Sequence, residues 1–127
     1  MANILIVDDV PQILRLLCII LSRNNHTAIT APNGEEALKK LRETAVDLII
    51  TDINMPHMDG LTLMEIIQAD EQLRNLPVIV MTANIRTHLQ LMAQGKENKS
   101  LVLTQPITSR ELNEAVSLCL SQPAYAD

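Results

Sequence analysis

Phenylalanine and tryptophan are absent from this 127-residue chain, and Tyr125, near its C-terminal end, is the only tyrosine. So few aromatic rings leave little to flank a flavin, which sets aside a flavin carrier. Glycine is almost as scarce. Gly34, Gly60 and Gly95 stand far apart and form no phosphate-cradling motif, which argues against a nucleotide-binding domain. Positive charge is also short: ten Lys and Arg face fifteen Asp and Glu, a net charge of -5. Nucleic acid is therefore not expected as the direct ligand, because phosphate backbones reward clustered cations. A cation is the better small partner for such a chain. The longest uncharged run, Val10 to Leu21, is short and broken by Arg15, and no basic, apolar, small-residue signal opens the sequence. No membrane insertion and a cytoplasmic location are the resulting expectations. Cys18 and Cys119 are far apart and each falls in an amphipathic helical pattern, so they read as buried thiols rather than a bridge or metal ligands.

What is present is a regular alternation. Hydrophobic residues make up 47% of the chain and charged residues 20%, the balance of a globular domain. The length fits one domain over residues 1–127, with a core from about residue 4 to 120. Aliphatic and β-branched runs predict strands at Ile4 to Val7, Thr27 to Thr30, Leu48 to Thr51, Val78 to Met81 and Leu101 to Leu103, separated by stretches long enough for crossover helices. Such βα alternation implies a parallel sheet covered on both faces. Pro11 suits a first helical position, and Ile13, Leu14, Leu16, Leu17, Ile20 and Leu21 then fall on one predicted face. Asn33 with Glu36, and Thr108 with Glu111, have capping-box spacing. Leu112, Ala115, Val116, Cys119 and Leu120 recur at core-facing intervals until Pro123. The helices expected after Gly60 and after Ile85 are less cleanly patterned, and Gln94 to Ser100 reads as a mobile polar loop.

Ligands of open parallel sheets bind at the carboxyl ends of the strands. Here the first strand ends in Asp8 and Asp9, the third in Asp52, the fourth in Thr82 and the fifth in Gln105. Three carboxylates on one rim repel one another unless a cation sits among them, and an all-oxygen site with room for water suits Mg2+. A metal beside a carboxylate nucleophile and a hydroxyl donor is what phosphoryl transfer requires, and Asp52 and Thr82 supply the last two. Taken singly, Asp9 reads as a helix cap, Asp52 as a surface turn and Thr82 as a strand end. Their recurrence at successive strand ends favours a joint role. His26, His57 and His88 show no metal spacing and read as surface or loop residues, and the six methionines as gap fillers.

"ILIVDDV", "DLIITDINMPHMDG", "VIVMTA" and "QPIT", in this order and at these separations, resemble the receiver domain of two-component response regulators. The match runs from about Ile4 to Leu120. The resemblance implies a flavodoxin-like (βα)5 three-layer α/β sandwich with five parallel strands in the order 2-1-3-4-5. It also implies that a histidine kinase or phosphotransfer protein donates phosphate to Asp52, that Asp8, Asp9, Asp52 and the backbone carbonyl of Asn54 hold Mg2+, and that the Thr82 hydroxyl binds the phosphoryl group.

Two positions depart from that pattern. Gln105 stands where the family has a lysine, and Val102 where it often has a rotating aromatic. Three carboxylates, one Mg2+ and a lysine cancel in charge, whereas with Gln105 one negative charge remains, and a phosphoryl group adds to it. A glutamine amide still donates a hydrogen bond, without charge assistance. The expectation is a phosphoacceptor with weakened read-out. The alternative is a pseudo-receiver, an interaction module that works without phosphorylation. An enzyme of the haloacid-dehalogenase type would want a second acid at Asn54 and a cap domain, so no enzyme activity is expected. "SQPAYAD" follows the last helical pattern directly, consistent with a stand-alone receiver or with a domain of a longer protein.

Overall fold

The computed structural model describes residues 2–53, 55, 58–83 and 100–121. Five strands, β1 (Asn3–Val7), β2 (Thr27–Ala31), β3 (Leu48–Asp52), β4 (Val78–Thr82) and β5 (Ser100–Thr104), form one parallel sheet in the order β2-β1-β3-β4-β5. All five predicted strands are present, each longer by one residue or two. Ser100 opens β5 and so is not part of the expected polar loop. Residues 94–99 of that loop, and the helix expected after Ile85, lie outside the described residues.

Four helices are described: α1 (Pro11–Arg23), α2 (Gly34–Glu43), α3 (Gly60–Ala69) and α4 (Ser109–Ser121). Their starts follow local chemistry. Pro11 opens α1, where its missing N–H costs nothing. The Asn33 side chain accepts a hydrogen bond from the Glu36 amide at 2.9 Å, and Glu35 and Glu36 sit in the positive first turn of α2. Asp59 caps α3 by accepting from the Thr62 amide at 2.8 Å. At α4 the reciprocal box is complete: the Glu111 amide donates to Thr108 Oγ1 at 3.1 Å, and the Thr108 amide donates to Glu111 Oε1 at 3.0 Å.

Strand alternation divides the core into two layers. On one face Ile4, Ile6, Leu48, Ile50, Ile79 and Met81 pack with Leu17, Ile20 and Leu21 of α1 and Leu112, Ala115 and Val116 of α4. On the other, Leu5, Val7, Ile49, Val78 and Val80 pack with Ala37 of α2 and Leu63, Met64 and Ile67 of α3. Val102 joins this second layer, while Leu101 and Leu103 of the same strand join the first. Cys18 and Cys119 are free, half-buried thiols packed against the first layer, and burial pushes the Cys119 thiol up to about 11.

Leu16 corrects one expectation. It is 51% exposed, as is Ile19, while Leu17, Ile20 and Leu21 are buried. Successive helical residues are about 100° apart, so Leu16 lies at the margin of the stripe centred on Leu17 and faces outward.

Candidate functional site

The carboxyl rim is built by strand register. Val7 pairs with Thr51, Asp52 with Met81 and Thr82 with Thr104, so the residues that follow β1, β3, β4 and β5 emerge side by side. The ladder continues briefly past the strands. The Asp8 amide donates to the Ala31 carbonyl at 3.1 Å, the Ile53 amide to the Met81 carbonyl at 3.1 Å, and the Gln105 amide to the Thr82 carbonyl at 2.7 Å. These bonds fix where each side chain leaves the sheet.

One carboxylate oxygen from each of Asp8, Asp9 and Asp52 lies within 4.8 Å of the other two. Their environments differ. Asp8 is buried, Asp52 half-buried and Asp9 exposed. Asp8 Oδ1 accepts from the Val10 amide at 2.9 Å, which holds the turn into α1, whereas Asp8 Oδ2 is buried with no hydrogen-bond partner. Burial pushes the Asp8 carboxyl up to about 6; the Val10 N–H opposes that rise, and the charges of Asp52 and Asp9 add to it. A buried, unpaired oxygen on a carboxylate grouped with two others is a poor arrangement for the bare protein. It is a good one for a hard cation that takes oxygen ligands, so the donor set fits Mg2+. Thr82 is fully buried at the end of the neighbouring strand. Asn54, the expected carbonyl ligand, lies outside the described residues, as do His57 and His88.

Gly60 lies close against the end of β3. The Gly60 amide donates to the Ile53 carbonyl at 2.8 Å, and a Cβ at Gly60 would collide with the Asp52 carbonyl oxygen and stand 2.9 Å from Ile53 Cα. Glycine is needed there because backbone approaches backbone directly behind Asp52. Gln105 follows β5, joined to Pro106 by a cis peptide bond, and lines a cavity next to the rim. Two features were not anticipated from the sequence: Thr104, which pairs in register with Thr82, and the cavity itself. A hydroxyl just before Gln105 was a visible signal for the first; the second had none.

Residues 4–117 match the family model described as the response regulator receiver domain. The chain belongs to that family. It is 34% identical over 125 residues to the transcriptional regulatory protein GlrR of Escherichia coli, an alignment covering 98% of this chain and 28% of that protein. It thus spans little more than a quarter of that relative. The chemotaxis protein CheY of Pseudomonas aeruginosa is 32% identical over 115 residues, with 90% of this chain and 92% of that protein covered. The signal receiver domain of a signal transduction histidine kinase from Syntrophus aciditrophicus superposes with a TM-score of 0.87 at 30% identity, covering 100% of this chain and 96% of that one. The receiver fold expected from the sequence, with its strand order, is therefore the fold of this chain. No helix among the described residues is long and apolar enough to cross a membrane.

Proposed function

We propose that the chain accepts a phosphoryl group on Asp52 from a histidine kinase or phosphotransfer protein, with Mg2+ held by Asp8, Asp9, Asp52 and the Asn54 carbonyl. The observation that carries this reading is the approach of the three carboxylates to one another, with Asp8 Oδ2 buried and unpartnered. An Asp52 oxygen attacks the phosphorus of a phosphohistidine: a P–O bond forms, the P–N bond breaks, and its electron pair stays on the imidazole, which takes up a proton. Bound Mg2+ would neutralise charge on the phosphoryl oxygens. The Thr82 hydroxyl and the Gln105 amide N–H donate to those oxygens, and the tight turn at Gly60 holds Asp52 from behind. The protein acts as a carrier of phosphate rather than as a turnover enzyme, in the cytoplasm, and reaches its effect through a protein partner rather than by direct contact with nucleic acid.

Read-out is weak in this proposal. Gln105 brings no charge to the phosphoryl group, and Val102, half-buried in the second core layer, is too small to act as a swinging aromatic. The same two residues favour the second reading, a pseudo-receiver that binds its partner regardless of phosphate. Incubation with acetyl phosphate and Mg2+, followed by intact mass measurement, separates the two. One added phosphate that is lost in Asp52→Asn supports the phosphoacceptor; no addition at any Mg2+ concentration leaves the pseudo-receiver.

A further inference from the structure

The cavity beside the rim has a volume of about 340 Å3 and is walled by Ile13, Leu16 and Leu17 of α1, Met81 and Ala83 at the end of β4, and the segment Gln105, Pro106 and Ile107. That volume lies within the range of small-ligand pockets. The lining is apolar apart from the Gln105 amide and, among the described residues, contains no charged side chain. The neighbouring rim is the opposite. Asp8 and Asp9 lead into α1, Ala83 follows β4, the strand beside that of Asp52, and Gln105 follows β5, the next strand out on the same rim. An aliphatic enclosure therefore opens beside a cluster of three carboxylates in which Asp8 Oδ2 is buried and unpaired. The three carboxylates together carry one more charge than a divalent cation supplies.

A ligand complementary to both halves has a short hydrocarbon chain and one positive end. We propose that this cavity is a site for an aliphatic primary ammonium group, its carbon chain against Ile13, Leu17 and Ile107 and its charge toward the Gln105 carbonyl oxygen and the acidic rim. Ammonium carries three donors and no acceptor, which matches an amide oxygen beside carboxylates. The group can arrive on a free amine or on a lysine side chain. The proposal rests on the Mg2+ phosphoacceptor reading only for its strength, because a phosphoryl group on Asp52 would add negative charge and tighten the site.

The test uses n-butylammonium and its neutral counterpart n-butanol, titrated into the isotope-labelled, Mg2+-loaded protein while amide shifts are followed. The charged probe binds about tenfold more tightly than the alcohol, as expected for one added charge near a partly screened carboxylate cluster. Shifts centre on Ile13, Leu17, Ala83 and Ile107. Gln105→Lys, which places a tethered ammonium in the same space, abolishes binding of the probe. Leu16→Lys, at a half-exposed position that folding tolerates, weakens it. Tighter binding of Nα-acetyl-lysine methylamide than of butylammonium identifies a lysine side chain as the natural source, and the reverse a free amine. Equal affinity for butanol, or undiminished butylammonium binding by Gln105→Lys, overturns the proposal. Beryllofluoride separates it from the phosphoacceptor reading: butylammonium binding without beryllofluoride binding keeps this site and removes that one.

Discussion

Asp8 carries a clear electrostatic cost at the rim. Its carboxyl has an ordinary value of 3.8 and stands near 6 in the folded chain, so the protonated form favours the fold. The stability this adds is fully present below 3.8 and is lost as the pH rises through about 6, a change of about 3 kcal/mol. In metal-free protein the urea midpoint should therefore contain a component that falls over that window, and Asp8→Asn should remove it. Millimolar Mg2+ should reverse the loss above pH 6, because a cation stabilises the ionised form. A midpoint that is insensitive to Asp8→Asn across the window would refute this account. Gln105 belongs to the same balance. With no ammonium at its position, the unphosphorylated wild-type protein should bind Mg2+ at least as tightly as Gln105→Lys. Calorimetry or amide shifts must report it, since there is no tryptophan; clearly tighter binding by the lysine variant would contradict the charge count.

Among the elements, α4 shows how far local sequence reaches. Thr108 and Glu111 carry a complete capping box, and Thr108→Ala should cost about 1 kcal/mol in unfolding free energy without altering the acid cluster, a loss visible in the denaturation midpoint. The five strands and the helix starts were legible because each depends on neighbours in sequence: β-branched runs, a proline, a cap three residues before its partner. The acid cluster was legible too, since strand ends in a parallel sheet converge by topology. What escaped depends on contacts distant in the chain. Asp8 is buried and Asp9 exposed because the Asp8 amide extends the ladder to Ala31, a bond between residues 8 and 31 that no local pattern encodes. Leu16 was placed on the core face because its hydrophobicity continues the stripe. It lies at the margin of the stripe centred on Leu17, where it is half-exposed and lines the cavity.

At the scale of the whole molecule, the proposed phosphoacceptor would couple rim to surface through β5, which leads from Val102 to Gln105. A bound group shifts a conformational balance only by its differential interaction with the two states, and a neutral amide makes that difference small. Beryllofluoride should accordingly perturb the amides of residues 101–104 and 111–120 only weakly, and Gln105→Lys combined with Val102→Tyr should enlarge the response. A large concerted change across those residues in the unmodified protein would reveal another route. The position of β5 gives this a mechanical side. It is the last strand of the order β2-β1-β3-β4-β5 and, among the described residues, is laddered to β4 alone, whereas β1 and β3 are each held from both sides. Displacing β5 breaks one set of backbone hydrogen bonds rather than two. The two departures from the family pattern thus sit on and just after the outermost described strand, away from β1 and β3, which carry the acids.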